Sequence, residues 1–347
     1  MDKLIRIGMD TSKQIFQLHG VNQAEQPVLR RKVRRQDLLP LFRRLEPTVV
    51  AMEACGGSHH WARELRLLGH EVKLIPAQLV KPYVKRGKND AADAEALCEA
   101  MSRPSMRFVP VKSAEGQADL MLAGVRDRLV RNRVQLANAI RGHAAEFGVV
   151  AAKGPAKLGE LLQSLKGDEA LPAMARELFV ELADEYAALE RRIEAIEAKL
   201  HAWHRTNELS RRLAAIPSVG PVIATMLVMK TPDPRAFRSG RDFAAWLGLT
   251  PREHSTAGKV KLGGITRAGD ETLRSLLIVG DTAVIRQMRC GGALRPSAWQ
   301  MELLQRKPPK LAAVALANKT ARIAWKLMIS GESYKFPPVE QQVSKAA

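Results

Sequence analysis

The sequence predicts an α/β domain followed by an all-α region: a mixed sheet with flanking helices, then a helical segment bearing a heptad repeat, then a mostly helical C-terminal domain. Three observations carry this. Short apolar runs alternate with amphipathic stretches across residues 4–111. The first of these runs form a strand hairpin that leads into αβ repeats, the order expected of a mixed sheet covered by helices. Further on, Phe179, Leu182, Tyr186, Leu189, Ile193, Ile196, Leu200 and Trp203 alternate steps of three and four, a seam sustained over more than three heptads. With 347 residues, 46% hydrophobic and 26% charged, the chain can fill two or three cores, and wholesale disorder is excluded.

The elements follow in order. Residues 4–10 read as an apolar strand, 15–20 as its hairpin partner, and 27–35 as a third strand with a strongly basic outer face. Residues 36–45 form a short amphipathic helix, and 48–53 an apolar strand, TVVAME, that ends in a carboxylate. Gly56-Gly57-Ser58 turns the chain, with Ser58 as the cap of a helix running to Leu68. A strand at 71–75 stops at Pro76, a helix spans 91–101, and 107–111 is a late strand. Residues 113–148 are helix-rich and dense in arginine, and 154–167 read as a loose polar connection. The heptad segment reads as a coiled coil, paired within one chain or between two. Beyond it the chain is helical, with a break at 231–239, a polar glycine-rich loop at 248–269, helices at 271–288 and 311–330, and a loose tail. The predicted domains are 1–112, 113–205 and 206–347.

Lysine and arginine number 55 against 36 acidic residues, a formal charge of +19 that points to a polyanion partner, nucleic acid above all. Cys55, Cys98 and Cys290 are odd in number and widely spaced, which speaks against a disulfide or zinc framework and for reduced thiols in a cytoplasm. The N-terminus lacks a signal-peptide pattern, and no apolar run approaches the ~20 residues of a membrane span.

Four carboxylates stand out. Asp10 and Glu53 each close an apolar strand, where the rim of a sheet receives ligands. Asp90 and Asp93, three apart, share one helical face behind a run of Lys81, Lys85, Arg86 and Lys88. Converging, the four would suit Mg²⁺ and phosphodiester chemistry. Singly, each has a plain alternative: Asp10 in a turn, Asp90 as a helix cap, Asp93 as a favourable first-turn charge. Residues 216–224, IPSVGPVIA, resemble a helix-hairpin-helix turn able to offer backbone N–H groups to a phosphate, with Ser218 in place of the usual first glycine. Within the 248–269 loop, Ser255 stands among basic residues and is a candidate nucleophile toward phosphate, although such a serine is commonly only a loop residue. Arg30, Arg31, Lys32, Arg34, Arg35, Lys85, Arg86, Lys88, Arg126, Arg133, Lys259, Lys261 and Arg267 are candidate nucleic-acid contacts. Aromatic residues make up only 5%, which argues against base stacking as the main binding mode.

The segments GMDTSK, MEACGG and KNDAADAEAL resemble the RuvC-like domain of the DEDD transposases of insertion-sequence family one-ten. The heptad helix, IPSVGPVIATML and GLTPREHSTAGK…GGITRAGD resemble that family's C-terminal domain, so the likeness covers residues 4–330, nearest the subgroup typified by element eleven-eleven. The resemblance implies a RuvC/RNase H-like fold and RNA-guided recombination, in which a structured bridge RNA pairs with element and target DNA. It places the Mg²⁺-binding acidic residues at Asp10, Glu53, Asp90 and Asp93 and the serine nucleophile at Ser255, with Thr256 the neighbouring alternative. It further implies a homodimer assembling to a tetramer on DNA, a site composed from different protomers, and a bacterial, nucleoid-associated location. Two competing readings use the same residues: a RuvC-like nuclease in which Ser255 is inert, and a DNA invertase acting on fixed sites. A sugar-kinase reading of GMDTS lacks a second phosphate loop, and a non-catalytic scaffold would leave the four carboxylates without a role.

Overall fold

The computed structural model describes residues 3–84, 89–231, 233–290 and 297–335. Lys85, Arg86 and Lys88 lie outside the described residues. The chain divides into two compact units, Met1–Ala118 and Asp119–Ala347.

The first unit is a mixed sheet with helices on both faces. Strands β1 (Arg6–Asp10), β2 (Ile15–Val21), β3 (Pro27–Arg34), β4 (Val49–Glu53) and β5 (Glu71–Ile75) lie in the order β3-β2-β1-β4-β5. β2 runs antiparallel to both β1 and β3, whereas β4 is parallel to β1 and β5 to β4. Side chains alternate across the pleat. Ile7, Met9, Phe16, Leu18, Val50 and Met52 fill one face together with α1 (Leu38–Phe42) and α2 (Ser58–Leu67). The other face carries Ala51 and Ile75 against α4 (Asp90–Ala100), with α3 (Ala77–Val80) alongside.

Three local expectations change here. Ser58 does not cap α2: Gly57, at φ +90°, holds that position, and the Ser58 hydroxyl donates to the Cys55 carbonyl at 2.8 Å. The helix expected at 36–45 is only α1, entered through a 3₁₀ turn at Arg35–Asp37. The late strand at 107–111 reduces to one antiparallel bridge between Val109 and Leu74, made by the Val109 N–H on the Leu74 carbonyl at 2.7 Å.

The second unit is helical. α5 (Ala114–Glu146), α6 (Pro155–Gly167) and α7 (Ala173–Thr206) share one core. α6 occupies the stretch expected to be loose: Leu158, Leu161, Leu162 and Leu165 form a buried stripe at helical spacing, which outweighs the glycines at either end and at 159. The heptad seam lies on α7, and Phe179, Tyr186, Leu189 and Ile193 are buried against α5 and α6 of the same chain. Arg126 pairs with Glu197 at 2.6 Å and Arg133 with Glu190 at 4.0 Å, so α5 and α7 run antiparallel with ion pairs one heptad apart. These side chains are thus spent inside the protomer and do not offer the inter-chain seam that the sequence allows. α8 (Glu208–Leu213), α9 (Pro221–Lys230), α10 (Gly240–Trp246), α11 (Glu271–Arg289), α12 (Ala298–Arg306) and α13 (Pro309–Ser330) build the remainder. Among the described residues no helix is long and apolar enough to cross a membrane.

Candidate active site

The acidic residues are assembled by backbone packing. Gly8 lies two residues before Asp10 on the same face of β1, and a Cβ there would stand 2.0 Å from the Ala94 carbonyl oxygen and 2.5 Å from the Cys98 nitrogen. Only glycine lets the α4 backbone rest directly on the strand. That contact brings the first turn of α4, with Asp90 and Asp93, beside the strand end that carries Asp10. Ligand oxygens of Asp10, Asp90 and Asp93 all lie within 4.8 Å of one another. Glu53 is outside that trio. It closes β4, whose register with β1 (Gly8 opposite Ala51, Met9 opposite Met52) continues to place Glu53 next to Asp10 on the same rim.

Asn89 caps α4, its side chain accepting from the Ala91 N–H at 3.0 Å. The capping role open to Asp90 is therefore filled by its neighbour, and both aspartates are left as first-turn carboxylates. Burial pushes the Asp10 carboxyl above its usual range, the charges of Asp93 and Asp90 add to this, the Thr11 backbone N–H opposes it, and Glu53 raises it a little further. A set of hard oxygens that repel one another in a half-buried rim is what a divalent cation relieves. Beside it, Thr11 Oγ1 lies 3.3 Å from Cys55 Sγ, a contact joining the segments that follow Asp10 and Glu53.

Ser255 sits in a different kind of structure. The stretch expected to be a loop is a hairpin, with β6 (Pro251–Glu253) antiparallel to β7 (Leu262–Ile265). Thr266 N–H bonds to the Thr250 carbonyl at its base, and His254 N–H to the Lys261 carbonyl further out. The tip is a two-residue turn between Thr256 and Lys259, with Ala257 at φ 47° and Gly258 at φ 79°, the handedness that suits a twisted hairpin. Ser255 Oγ accepts the Lys261 N–H at 3.1 Å and is partly exposed, whereas Thr256, Lys259, Lys261 and Arg267 are exposed. The hairpin base is clamped by residues the sequence does not advertise. Buried Arg274 donates to the Leu247 carbonyl at 3.1 Å, Asn318 to the Leu249 carbonyl at 3.2 Å, and Lys230 pairs with Asp127 at 3.0 Å and Asp270 at 3.1 Å.

The turn at 216–220 also keeps its unusual residue. Ser218 stands at φ +89°, where glycine is favoured, held against Gly280, whose added Cβ would meet the Ser218 carbonyl oxygen at 2.3 Å. Beneath it, Thr320 Oγ1 donates to Asp281 at 3.1 Å, and burial pushes the Asp281 carboxyl up to about 7, with the Ser218 and Thr320 hydroxyls holding it back.

Of the candidate nucleic-acid contacts, Arg30, Arg31, Lys32, Arg34 and Arg35 are exposed on and after the edge strand β3. Arg126 is different: with 14% of its side chain exposed and both its Nε and its Nη2 on Glu197, it is a strut between α5 and α7. Arg133 is likewise held near Glu190.

The comparisons agree with this geometry. A DEDD-type IS110 transposase model matches residues 7–148, and the model "Transposase IS116/IS110/IS902 family" matches residues 210–294. The mixed sheet with its flanking helices is consistent with the RuvC-like fold of the DEDD group, whose acidic domain implies a divalent metal. The chain is 63% identical over 344 residues to the y4pF/y4sB protein of Sinorhizobium fredii, covering 99% of this chain and 89% of that one. It is 39% identical over 331 residues to the transposase for insertion sequence element IS1328 of Yersinia enterocolitica (95% and 98%). It is also 39% identical over 335 residues to the transposase for insertion sequence element IS1111A of Coxiella burnetii (95% and 91%). With most of each relative covered and the acidic rim in place, the chain belongs to the IS116/IS110/IS902 family of transposases.

Proposed function

We propose that this chain is an RNA-guided transposase that cuts and rejoins element and target DNA through a phosphoserine at Ser255, assisted by Mg²⁺ held at Asp10, Glu53, Asp90 and Asp93. The observation that carries the reading is the gathering of Asp10, Asp90 and Asp93 oxygens within 4.8 Å in a chain of a transposase family. The donor set fits a hard divalent ion, since all its members are carboxylates, and burial together with their mutual repulsion raises the proton affinity of Asp10. Bound Mg²⁺ would supply charge stabilisation to a phosphodiester. Asp10, half-buried, orients the set, and exposed Asp90 keeps its outer side open to the substrate.

Ser255 Oγ accepts a backbone N–H, which favours negative charge on the attacking oxygen. In the proposed step the Ser255 oxygen bonds to phosphorus and the hydroxyl gives up its proton, the bond from phosphorus to a deoxyribose oxygen breaks and that oxygen takes up a proton, and the phosphoserine conserves the phosphoester energy for religation. Lys259, Lys261 and Arg267 on the same hairpin would stabilise the added negative charge. Guidance by a structured RNA, and assembly of dimers into a tetramer on DNA, are what the family resemblance implies, and the net charge of +19 suits a nucleic-acid partner.

The test traps the intermediate. Labelled element-junction DNA is incubated with Mg²⁺, the protein and its co-purifying RNA, and the mixture is then denatured. A protein–DNA adduct that is lost in Ser255→Ala, retained in Thr256→Ala, lost in Asp10→Ala and lost on RNase treatment is the expected result. Cleavage without an adduct, unaffected by Ser255→Ala, would assign the chain to hydrolytic RuvC-like nucleases.

A further inference from the structure

We infer that a basic groove leading away from the acidic centre holds the backbone of the DNA strand whose phosphodiester occupies that centre, an inference that rests on the transposase reading above. The groove consists of two concavities that share Arg35, His60 and Trp61. The nearer, about 400 Å³, begins at Thr11, next after Asp10, and at Gly56-Gly57, just beyond Glu53, and includes Lys13. The farther, about 960 Å³, continues along Arg34 and Arg43. Topology explains the continuity: β1 and β4 finish at this rim, while antiparallel β2 begins here and β3 ends here, with Ile15 opposite Arg34.

Cations on this groove lack the carboxylate partners that some other cations of the first unit have. Arg6 is neutralised by Glu25, and Arg103 by Glu99. Among the described residues Lys13, Arg34, Arg35 and Arg43 form no ion pair, and the carboxylate lining the groove, Glu64, reaches toward His60 at 4.0 Å. Among the described residues, a strip of cations without ion pairs thus leads away from a cluster of carboxylates without ion pairs. A polyanion satisfies the first and a divalent ion the second, and a nucleic-acid strand with its metal satisfies both at once.

The contacts would be to phosphate and not to bases. The Arg35 guanidinium stacks over the Trp61 ring at 4.7 Å, and Trp61 is 6% exposed, so the indole fixes the arginine and has no face to offer a base. Such a groove positions a strand without reading its sequence. DNA is preferred over RNA as occupant because phosphates flanking the reacting one belong, by covalent connection, to the strand being cut.

The experiment uses the full chain in EDTA, so that no cleavage occurs, with a fluorescein-labelled single-stranded DNA oligonucleotide, an RNA of the same sequence, and anisotropy read across a salt series. The variant is Lys13→Gln/Arg35→Gln/Arg43→Gln. The control removes equal charge elsewhere, Lys153→Gln/Lys166→Gln/Lys199→Gln. Three lost phosphate contacts should flatten the log–log salt slope on DNA by about 2 and weaken binding at least tenfold at low salt, while the control stays at the wild-type value. A Mn²⁺-induced rise in melting temperature retained by the groove variant shows that its acidic centre is intact. A slope and affinity equal to the control, or a loss confined to RNA, overturns the inference. Failure of the transposase reading is separately visible, as cleavage that survives Asp10→Asn/Asp93→Asn.

Discussion

The acidic rim and the serine hairpin differ in what holds them. Asp10 follows Ile7, Gly8 and Met9 on a central strand whose apolar residues are wholly buried, and a helix backbone is pressed onto that strand. Ser255 lies near the tip of a hairpin whose strands are exposed at every position but Ile265, which is half-buried, and it is fixed by short-range hydrogen bonds and by a clamp at the base. One set of residues is positioned by the core, where a fraction of an ångström matters. The other is carried on a projecting element whose own stability is small, the kind of segment that settles only against substrate. A ligand set for a metal needs the first arrangement, whereas a nucleophile that must reach a phosphodiester tolerates the second.

The largest way to break this contrast is Gly8→Ala. The new methyl meets helix backbone that cannot step aside, and we expect a loss of about 3 kcal/mol in urea unfolding together with loss of metal response. The matched change in the hairpin, Gly263→Ala, meets the His254 ring at 3.5 Å and the Arg252 Cβ at 3.8 Å, both ordinary contacts, and should cost less than about 0.5 kcal/mol. If the two cost the same, the contrast is false.

Metal linkage comes next. Mg²⁺ at a hundredfold excess over its dissociation constant should stabilise the wild type by about 2.7 kcal/mol in thermal melts, and Asp10→Asn should abolish the shift. Because the Asp10 carboxyl is raised above its unfolded value, the metal-free protein should lose stability as pH rises through its titration, and Asp10→Asn without metal should be the more stable protein at neutral pH. A destabilised Asp10→Asn would show that the carboxylate is a structural element and not a strained ligand.

Asp281 sharpens the comparison inside the helical unit. Its folded value of about 7 exceeds the ordinary 3.8, so its contribution favours folding in acid and is lost as pH rises between those values, by up to about 1.4 kcal/mol per pH unit. Asp281→Asn keeps a partner for Thr320 and should flatten the pH dependence of the melting temperature over that window. An unchanged pH profile would mean that Asp281 does not titrate there.

The smallest expected effect on stability is that of Ser255→Ala, within about 0.5 kcal/mol by urea unfolding, because one hydrogen bond at a partly exposed position is lost. A large loss would recast Ser255 as a structural residue of the hairpin.

Much of the sheet could be read from the chain. The strand at 71–75 coincides with β5, and 15–20 and 48–53 differ from β2 and β4 by one residue, because period-two burial and flanking Pro and Gly are local signals. The late strand at 107–111 could not be read, since its pairing is with a distant strand and only Val109 meets Leu74 there. The carboxylates were legible as strand ends and a helix face, yet their distances were not: Glu53 falls outside the 4.8 Å trio that Asp10, Asp90 and Asp93 form. Arg126 was misleading for a related reason. An arginine-rich helix looks like a phosphate surface until its partner helix presents Glu197.

The sequence by itself determined the polyanion-seeking charge, the apolar periodicities, and the placing of carboxylates at strand ends and on one helix face. Those follow from composition and from spacing along one segment, where geometry is fixed by the helical or extended repeat. Tertiary structure alone decided that the heptad seam is satisfied within the protomer, that residues 248–269 close into a clamped hairpin, and that Lys13, Arg35 and Arg43 line one groove beside the carboxylates. Each of those depends on contacts between segments tens to hundreds of residues apart, and such contacts are selected by packing and pairing in three dimensions.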